Sequence, residues 1–138
     1  MQEGTCQLLK ELSRHGQTLL ETNGSLDIGK VPPGVITILD IKCPGSGYAA
    51  KNEWRNLAGL GQQAEVKFII CDRRDYEWAK DIITEHQLAK RCNAINLSPA
   101  AGFMSAPTLA RWIMKDRLPV RFNLQLHKTI WPKAARGK

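Results

Sequence analysis

A run of mostly β-branched residues at 35–41, with the sequence VITILDI, most constrains how this chain can fold. Its side chains are apolar on both alternating sides except at Thr37 and at the end, as expected of a strand buried in a parallel sheet. Pro32, Pro33 and Gly34 bound the run on its amino side. Parallel strands need long crossover connections, so the segments around this run should alternate strands with helices.

Four further segments carry strand patterns. We predict strands at 18–22, 65–70 and 94–97, and a last strand at 120–126 in which apolar and other residues alternate strictly. Residues 98–99, Ser-Pro, should end the fourth strand. Strands that alternate with helices on this scale are expected to run parallel, with right-handed crossovers.

Helical periodicity fills several of the intervals between these strands. We predict helices at 6–15, after the capping residue Asp72, and from Ser105 to about Lys115. The apolar faces comprise Cys6, Leu8, Leu9 and Leu12 in the first, Tyr76, Ala79, Ile82, Ile83 and Leu88 in the second, and Leu109, Trp112 and Ile113 in the third. The predicted fold class is α/β, an incomplete parallel (β/α) barrel of about five strands and four helices, because a closed eight-fold barrel needs about 200 residues or more.

The charge of the chain is concentrated at one end. The 138 residues suit one domain, and the formal net charge is +7. Residues 1–110 hold 12 basic and 12 acidic side chains, so the whole excess lies in residues 111–138. A basic end can bind nucleic acid, a phosphorylated ligand or an acidic partner, or it can be a solvated tail. We favour the solvated tail and do not expect nucleic acid as a partner.

The four cysteines form no local metal motif. Cys6, Cys43, Cys71 and Cys92 contain no CxxC pair, so the sequence encodes neither a zinc knuckle nor a local iron–sulfur loop. We interpret them as reduced core residues of a cytoplasmic protein. The first 16 residues lack the apolar core of a secretory signal, and no run of 18 apolar residues could span a membrane.

Polar residues cluster where the predicted strands end. Asp40 and Lys42 flank one apolar residue, so they point to the same side and form either an ion pair that closes the strand or part of a ligand site. Ser98 follows another strand, and His127 follows the last one. Ligands of parallel sheets bind at the carboxyl ends of the strands. No nucleophile–base pair is recognisable, so the residues alone indicate half of an α/β ligand-binding domain.

Five segments together resemble one enzyme family, the 7-carboxy-7-deazaguanine synthases, which are radical S-adenosylmethionine enzymes. The matching segments occur in the family's order and spacing and cover residues 2–132. They are LLETNGSL from residue 19, LDIKCPGSG from residue 39, EVKFIICDRRDYEWA from residue 65, LSPAAG from residue 97 and LQLHKTIWP from residue 124.

The resemblance implies a particular part of such an enzyme. Residues 1–132 correspond to the carboxy-terminal part of a radical S-adenosylmethionine partial barrel, and 133–138 form an additional basic tail. The CxxxCxxC loop that binds the 4Fe-4S cluster, and the residue that binds Mg²⁺, belong to the amino-terminal part of the family enzyme. The intact family converts 6-carboxy-5,6,7,8-tetrahydropterin to 7-carboxy-7-deazaguanine by radical ring contraction with loss of ammonia, in queuosine and deazapurine biosynthesis.

The resemblance also implies which residues contact ligands. Contacts to S-adenosylmethionine are expected from Asp40, Ile41, Lys42, Ser98, Pro99, Ala100 and Ala101. Contacts to the pterin substrate are expected from His127, Trp131 and Pro132, and the family implies a homodimer. An alternative is a binding or regulatory module that derives from such an enzyme and does not catalyse.

Overall fold

The computed structural model describes residues 4–131, with the side chain of Thr129 excepted. Five strands alternate with helices along the chain, and the α-helices and strands are numbered in chain order. They are α1 (Thr5–Leu12), β1 (Leu19–Thr22), β2 (Ile36–Ile41), α2 (Arg55–Ala58), β3 (Glu65–Ile70), α3 (Arg73–Glu85), α4 (Leu88–Arg91), β4 (Ala94–Pro99), α5 (Ala106–Asp116), β5 (Arg121–Phe122) and α6 (Leu126–Ile130). Short 3-10 turns at Pro44–Ser46 and Ala49–Lys51 follow β2.

All five strands are parallel and lie in the sheet in their chain order, β1-β2-β3-β4-β5. This order has no reversal point, so each new strand is added on the same side, as in a barrel rather than a doubly wound sheet. The sheet is open, which confirms the predicted α/β class and incomplete barrel. The expected number of helices was too low: six are present among the described residues, because the short helices α2, α4 and α6 have too few turns to show a periodicity.

Only one face of the sheet is fully covered, which corrects the prediction that β2 is buried on both sides. Thr37, Leu39 and Ile41 are buried, whereas the alternate residues Ile36 and Ile38 are half-buried. Strand β3 repeats this pattern. The covered face packs with helices in one apolar core, whose members include Leu39, Ile41, Val66, Phe68, Ile70, Tyr76, Ala79, Ile83, Leu97 and Leu109.

Helix α3 begins as the sequence predicts and ends earlier. The Asp72 side chain accepts a hydrogen bond from the Asp75 N–H at 2.8 Å, which satisfies one of the free donors at the helix start. The helix ends at Glu85, and Gln87 adopts a left-handed backbone with φ 50°. Leu88 is buried as expected, but it lies on the separate helix α4.

The two ends of the described chain depart most from the prediction. Helix α1 stops at Leu12, three residues early, and the face expected to be buried leaves Leu8 and Leu12 exposed. The predicted strand at 120–126 pairs only at Arg121–Phe122, and a short helix starts at Leu126. Strand β4, in contrast, continues through Ser98 to Pro99. Among residues 4–131, no helix is long and apolar enough to cross a membrane.

Candidate functional site

The face of the sheet opposite the covered one carries charged residues at its centre. We call it the open face: it is the side of β1 to β5 that is half-buried or exposed, except on β4, where Asn96 and Ser98 are buried. In a closed barrel this inward side is filled by bulky branched side chains. Here the register brings polar side chains from neighbouring strands into adjacent rows, so the open face suits a polar ligand better than a packed core. Its polar members are Glu21, Asp40, Glu65, Lys67, Asn96 and Arg121.

Ion pairs connect the strands across the open face. Lys67 Nζ lies 2.9 Å from Glu21 Oε1. The Glu65 carboxylate accepts hydrogen bonds from Asn96 Nδ2 at 2.8 Å and from Arg121 at 3.2 Å. Each carboxylate thus has a cationic or amide partner, and donors and acceptors are both available to a ligand.

A pocket of about 280 Å³ opens on this face, and we call it the face pocket. Its walls are acidic, basic and amide side chains together with two apolar ones, so it can hold a small planar ligand that has both donors and acceptors. The lining residues are Glu21, Ile38, Glu65, Lys67, Asn96, Arg121, Phe122 and Asn123.

A second pocket, of about 370 Å³, lies where β1 and β2 end, and we call it the edge pocket. Two lysines and three polar side chains line it: Asn23, Ser25, Lys42, Tyr48 and Lys51. The Lys51 ammonium lies 5.1 Å from the centroid of the Tyr48 ring. This pocket is at the carboxyl edge of the sheet, where parallel sheets bind their ligands.

A larger pocket, of about 620 Å³, lies at the opposite edge and is a poorer candidate. It is lined by the proline-rich segment before β2 and by residues 59–64, and none of its lining residues is charged. The amino edge of a parallel sheet contributes stability rather than ligand contacts.

Asp40 and Lys42 form the ion pair that was one of the two interpretations of their spacing. Lys42 Nζ lies 2.7 Å from Asp40 Oδ2, and the two side chains are 30% and 14% exposed. The other oxygen, Asp40 Oδ1, is buried and has no hydrogen-bond partner among the described residues. The ion pair therefore accounts for only half of the carboxylate, and the remaining oxygen can accept a bond from a ligand.

Ser98 and Gln125 carry two more polar atoms of this kind. Ser98 is fully buried on β4, and neither its Oγ nor Gln125 Oε1 has a partner within the part of the chain that the structure describes. An unpaired buried polar atom costs about 1–3 kcal/mol, so such atoms are rare unless they serve a function. Ser98 and Asp40 were both predicted as ligand contacts, and Gln125 is an addition from the structure.

A buried carboxylate holds the loop that follows Lys42. Asp75 is fully buried and accepts hydrogen bonds from the N–H groups of Gly45 at 2.7 Å and Cys71 at 3.0 Å. Burial raises the pKa of the nearby Cys43 thiol far above its usual range, and the charge of Asp75 raises it further. Cys43 is therefore a neutral, unreactive core residue, as the sequence predicted.

The remaining predicted contacts divide between the edge and the surface. The Ile41 side chain faces the core, so only its backbone can meet a ligand. Pro99 ends β4 beside Ser98, the buried Ala100 follows the strand, and Ala101 is exposed.

The expected substrate contacts lie apart from β5. His127 and Trp131 are exposed on α6 and at its end, not at the end of a strand as the prediction had it. Pro132 and the tail 133–138 lie outside the described residues.

Sequence reasoning missed Glu65, Lys67, Asn96 and Arg121 as candidate site residues. The sequence pattern that could have indicated them is the occurrence of charged and amide residues at alternate positions in otherwise apolar strands, as in EVKFII and AINL. Side chains of that kind inside a buried parallel strand need a polar partner or a ligand.

No candidate metal centre is found within residues 4–131, because no three His, Cys, Asp or Glu side chains lie together there. The cysteines at 6, 43, 71 and 92 are free thiols, and Cys43 and Cys71 follow the neighbouring strands β2 and β3. The described residues therefore do not fit an iron–sulfur cluster or a magnesium ion by themselves.

Curated relatives match almost the whole chain. The 7-carboxy-7-deazaguanine synthase of Chlorobaculum tepidum is 41% identical over 99% of this chain and 64% of its own length. The synthases of the same name from Koribacter versatilis and Clostridium acetobutylicum are 35% and 32% identical, over 88% and 99% of this chain and 59% and 64% of theirs.

No protein-family model matches the chain, and no solved structure matches it significantly. The chain spans about 60% of the length of the curated relatives described above. These relatives agree on one name, and the matches cover nearly all of this sequence, so the chain is similar to 7-carboxy-7-deazaguanine synthases along almost its whole length.

Proposed function

We propose that the chain is the carboxy-terminal part of a 7-carboxy-7-deazaguanine synthase, a radical S-adenosylmethionine lyase. The complete enzyme would convert 6-carboxy-5,6,7,8-tetrahydropterin to 7-carboxy-7-deazaguanine with loss of ammonia. One observation carries the proposal: Asp40 and Ser98, which the family motifs assign to the cofactor, each present a buried polar atom without a partner among the described residues. These unpaired atoms fit a polar ligand at the carboxyl edge.

Lys42 would hold the cofactor in the edge pocket, and Asp40 and Ser98 would hold it near the carboxyl ends of β2 and β4. When it is bound, S-adenosylmethionine supplies the radical that begins the reaction. Asp40 Oδ1 is an acceptor for a ligand hydroxyl or amine, and Ser98 Oγ can both donate and accept. The Lys42 ammonium contacts Asp40 and retains further N–H donors for a carboxylate. Ile41, Pro99, Ala100 and Ala101 would contribute backbone contacts and shape.

The open face would orient the pterin. A pterin ring has N–H and amine donors on one edge and carbonyl and ring-nitrogen acceptors beside them. Glu21 and Glu65 can accept from the donors, while Lys67, Asn96 and Arg121 can donate to the acceptors. Their pairing keeps these groups in place before the ligand arrives, which lowers the cost of ordering them. By the family motifs, His127, Trp131 and Pro132 would contact the pterin.

The 4Fe-4S cluster and Mg²⁺ would be supplied by the portion of the family enzyme that this chain does not span. The described residues fit neither group by themselves. We propose that the assembled enzyme acts in the cytoplasm and as a homodimer.

The test is to complete the enzyme. The portion of the Chlorobaculum tepidum relative that the match does not cover would be joined ahead of this chain, giving what we call the fused enzyme. After anaerobic reconstitution, product is measured by liquid chromatography, and S-adenosylmethionine affinity by calorimetry. We expect turnover of 6-carboxy-5,6,7,8-tetrahydropterin and none from the Asp40→Ala, Ser98→Ala double variant. A folded fused enzyme that binds the cofactor no better than this double variant would refute the proposed site.

A further inference from the structure

We propose that Asn52 is a positioning residue that fixes the backbone of Lys42 so that the edge pocket is formed before S-adenosylmethionine binds. This inference rests on the proposed function for the identity of the ligand. Asn52 lies outside the five segments that resemble the synthase family, in the connection between β2 and α2. Its role follows from the hydrogen bonds that its side chain makes.

The side-chain amide of Asn52 pairs with the backbone of one residue in both directions. Asn52 Oδ1 accepts from the Lys42 N–H at 2.9 Å, and Asn52 Nδ2 donates to the Lys42 C=O at 2.9 Å. A side-chain amide has the same donor and acceptor as a peptide group. Asn52 therefore acts toward Lys42 as one residue of a neighbouring strand would.

The sheet leaves Lys42 in need of such a partner. The last pair between β1 and β2 joins Thr22 to Leu39, so Lys42 lies three residues beyond the end of β1. Its peptide groups would otherwise be unpaired at a half-buried position, which is unfavourable. Asn52 extends the hydrogen-bonding pattern at the point where Lys42 enters the edge pocket.

Asn56, four residues later, hydrogen-bonds in the same way to the backbone of the loop after β1. It is 2% exposed, accepts from the Ile28 N–H at 3.0 Å, and donates to the carbonyls of Gly24 at 3.1 Å and Leu26 at 2.9 Å. The segment from Asn52 to Asn56 thus ties together the strand ends that carry Asn23 and Lys42, both of which line the edge pocket.

The Asp40–Lys42 ion pair depends on this arrangement. The direction of the Lys42 side chain follows from its backbone, and its ammonium holds Asp40 Oδ2 while leaving Oδ1 unpaired. If Lys42 were released, the ligand would have to order it on binding, and affinity would fall. Asn52 is half-buried and Asn56 is buried, so Asn52 can be replaced with less risk to folding.

The first experiment measures how firmly Asn52 holds the Lys42 backbone in the 138-residue chain. Amide hydrogen exchange at Lys42 is followed by NMR for the parent, for Asn52→Ala and for the control Arg91→Ala. Arg91 Nη2 also donates to two backbone atoms, the carbonyls of Leu57 and Ala58 at 2.8 and 3.2 Å, which belong to the end of α2 rather than to the edge pocket. We expect exchange at Lys42 to rise about tenfold in Asn52→Ala and to change less than about twofold in Arg91→Ala.

The second experiment measures S-adenosylmethionine affinity in the fused enzyme, with the melting temperature alongside. Asn52→Ala should weaken binding about tenfold. Arg91→Ala should lower the melting temperature as much as Asn52→Ala does, but should leave the affinity unchanged. Unchanged exchange at Lys42 in Asn52→Ala overturns the inference, and so does increased exchange with parental affinity. A parent fused enzyme that binds no cofactor overturns the proposed function instead, and the exchange result still decides whether Asn52 holds Lys42.

Discussion

The Lys67 ammonium on β3 lies 2.9 Å from the Glu21 carboxylate on β1, so this ion pair crosses over the intervening strand β2. Ile38 on β2 lies beneath it, paired in register with Glu21. The pair extends across the open face and leaves a pocket beside it, because both side chains line the face pocket. Its loss should therefore affect ligand binding more than folding.

Replacing Lys67 by methionine tests this distinction. The pair is 17% exposed at Lys67 and 58% at Glu21, so solvent screens it and its loss should change the free energy of unfolding by less than about 1 kcal/mol. In the fused enzyme we expect kcat/KM to fall at least about tenfold, because Glu21 and the pterin would lose a charged donor. Urea unfolding measures the free energy of unfolding, and steady-state turnover measures kcat/KM.

The control for Lys67 is Arg14→Met. Arg14 pairs with Glu11 at 2.7 Å on the exposed surface near the end of α1, away from both pockets. This change should leave turnover and stability nearly unaltered. Parental kcat/KM in Lys67→Met would show that the open face does not bind the substrate.

The sequence predicted elements well where a strand has neighbours on both sides. Strand β3 runs over Glu65–Ile70 as expected, because its apolar alternate residues meet the helices and its edges pair with β2 and β4. The alternation at 120–126 was equally regular but did not give a strand of that length. Only Arg121 and Phe122 pair, with β4, and Leu124 and Leu126 remain exposed. Periodicity indicates which side chains share a face, but a partner strand is needed to order them.

Some residues of the candidate site could be predicted from the sequence, and others could not. Asp40, Lys42 and Ser98 could be placed from strand ends, since parallel strands bring those ends to one edge. Asn52 could not be placed, because it acts on the backbone of Lys42 through a loop, and no spacing in the sequence indicates such a contact.

A methyl group at Gly45 should destabilise the protein. A Cβ at this position would lie 2.6 Å from Asp75 Oδ2. Asp75 cannot easily yield, because it is fully buried and is held by the N–H groups of Gly45 and Cys71. We expect Gly45→Ala to lower the free energy of unfolding by about 1–3 kcal/mol, measured by urea titration.

Gly16→Ala is the matched control for Gly45. A Cβ there meets no atom within 4 Å, so the change should stay within about 0.5 kcal/mol of the parent. Equal stability of the two variants would mean that Asp75 does not constrain the loop.

Acid should weaken the contact between α3 and α5. Asp116 accepts hydrogen bonds from Lys80 at 2.6 Å and from the Tyr76 hydroxyl at 3.1 Å. The bond from Lys80 is the main cause that lowers the pKa of Asp116 below its usual value of 3.8, and the bond from Tyr76 also lowers it. A lowered carboxylate pKa gives stability that is present above pH 3.8 and is lost as the pH falls through the pKa of the folded state.

The Asp116→Asn variant should therefore melt below the parent at pH 7, and the difference should shrink as the pH falls below 3.8. Asp81→Asn, at an exposed position on α3, is the control and should follow the parent across the whole range. Melting curves by circular dichroism from pH 2 to pH 7 provide the measurement. A difference between Asp116→Asn and the parent that does not vary with pH would contradict the role given to the carboxylate.

Exposed leucines on α1 should make the chain self-associate. Leu8 and Leu12 are 59% and 47% exposed, and Leu19 on the neighbouring edge strand β1 is 54% exposed. Exposed apolar side chains favour association, and so does the edge of β1 that has no strand partner among the described residues. Sedimentation velocity should show concentration-dependent species, and Leu8→Lys with Leu12→Lys should reduce them without lowering the melting temperature.

Met114→Lys is the control for the leucine variants, because Met114 is 69% exposed but lies on α5. Its sedimentation should match that of the parent. A parent chain that sediments as a single monomer at all concentrations would contradict the prediction.

Ser98→Ala in the fused enzyme separates a ligand contact from a structural residue most clearly. The Ser98 side chain is fully buried, and its Oγ has no partner among the described residues. Alanine removes an unpaired polar atom, so the melting temperature should stay the same or rise. If the hydroxyl bonds to S-adenosylmethionine, the same change should weaken cofactor binding about tenfold, as measured by calorimetry.

The control is Ser13→Ala, which removes a hydroxyl that already has a partner, the Leu9 carbonyl at 2.7 Å, near the end of α1. That variant should lose a little stability and keep full affinity, which is the opposite pattern. A structural role for Ser98 predicts lower stability without loss of affinity. An unpaired hydroxyl with no ligand predicts higher stability and parental affinity, and either of these results would remove Ser98 from the site.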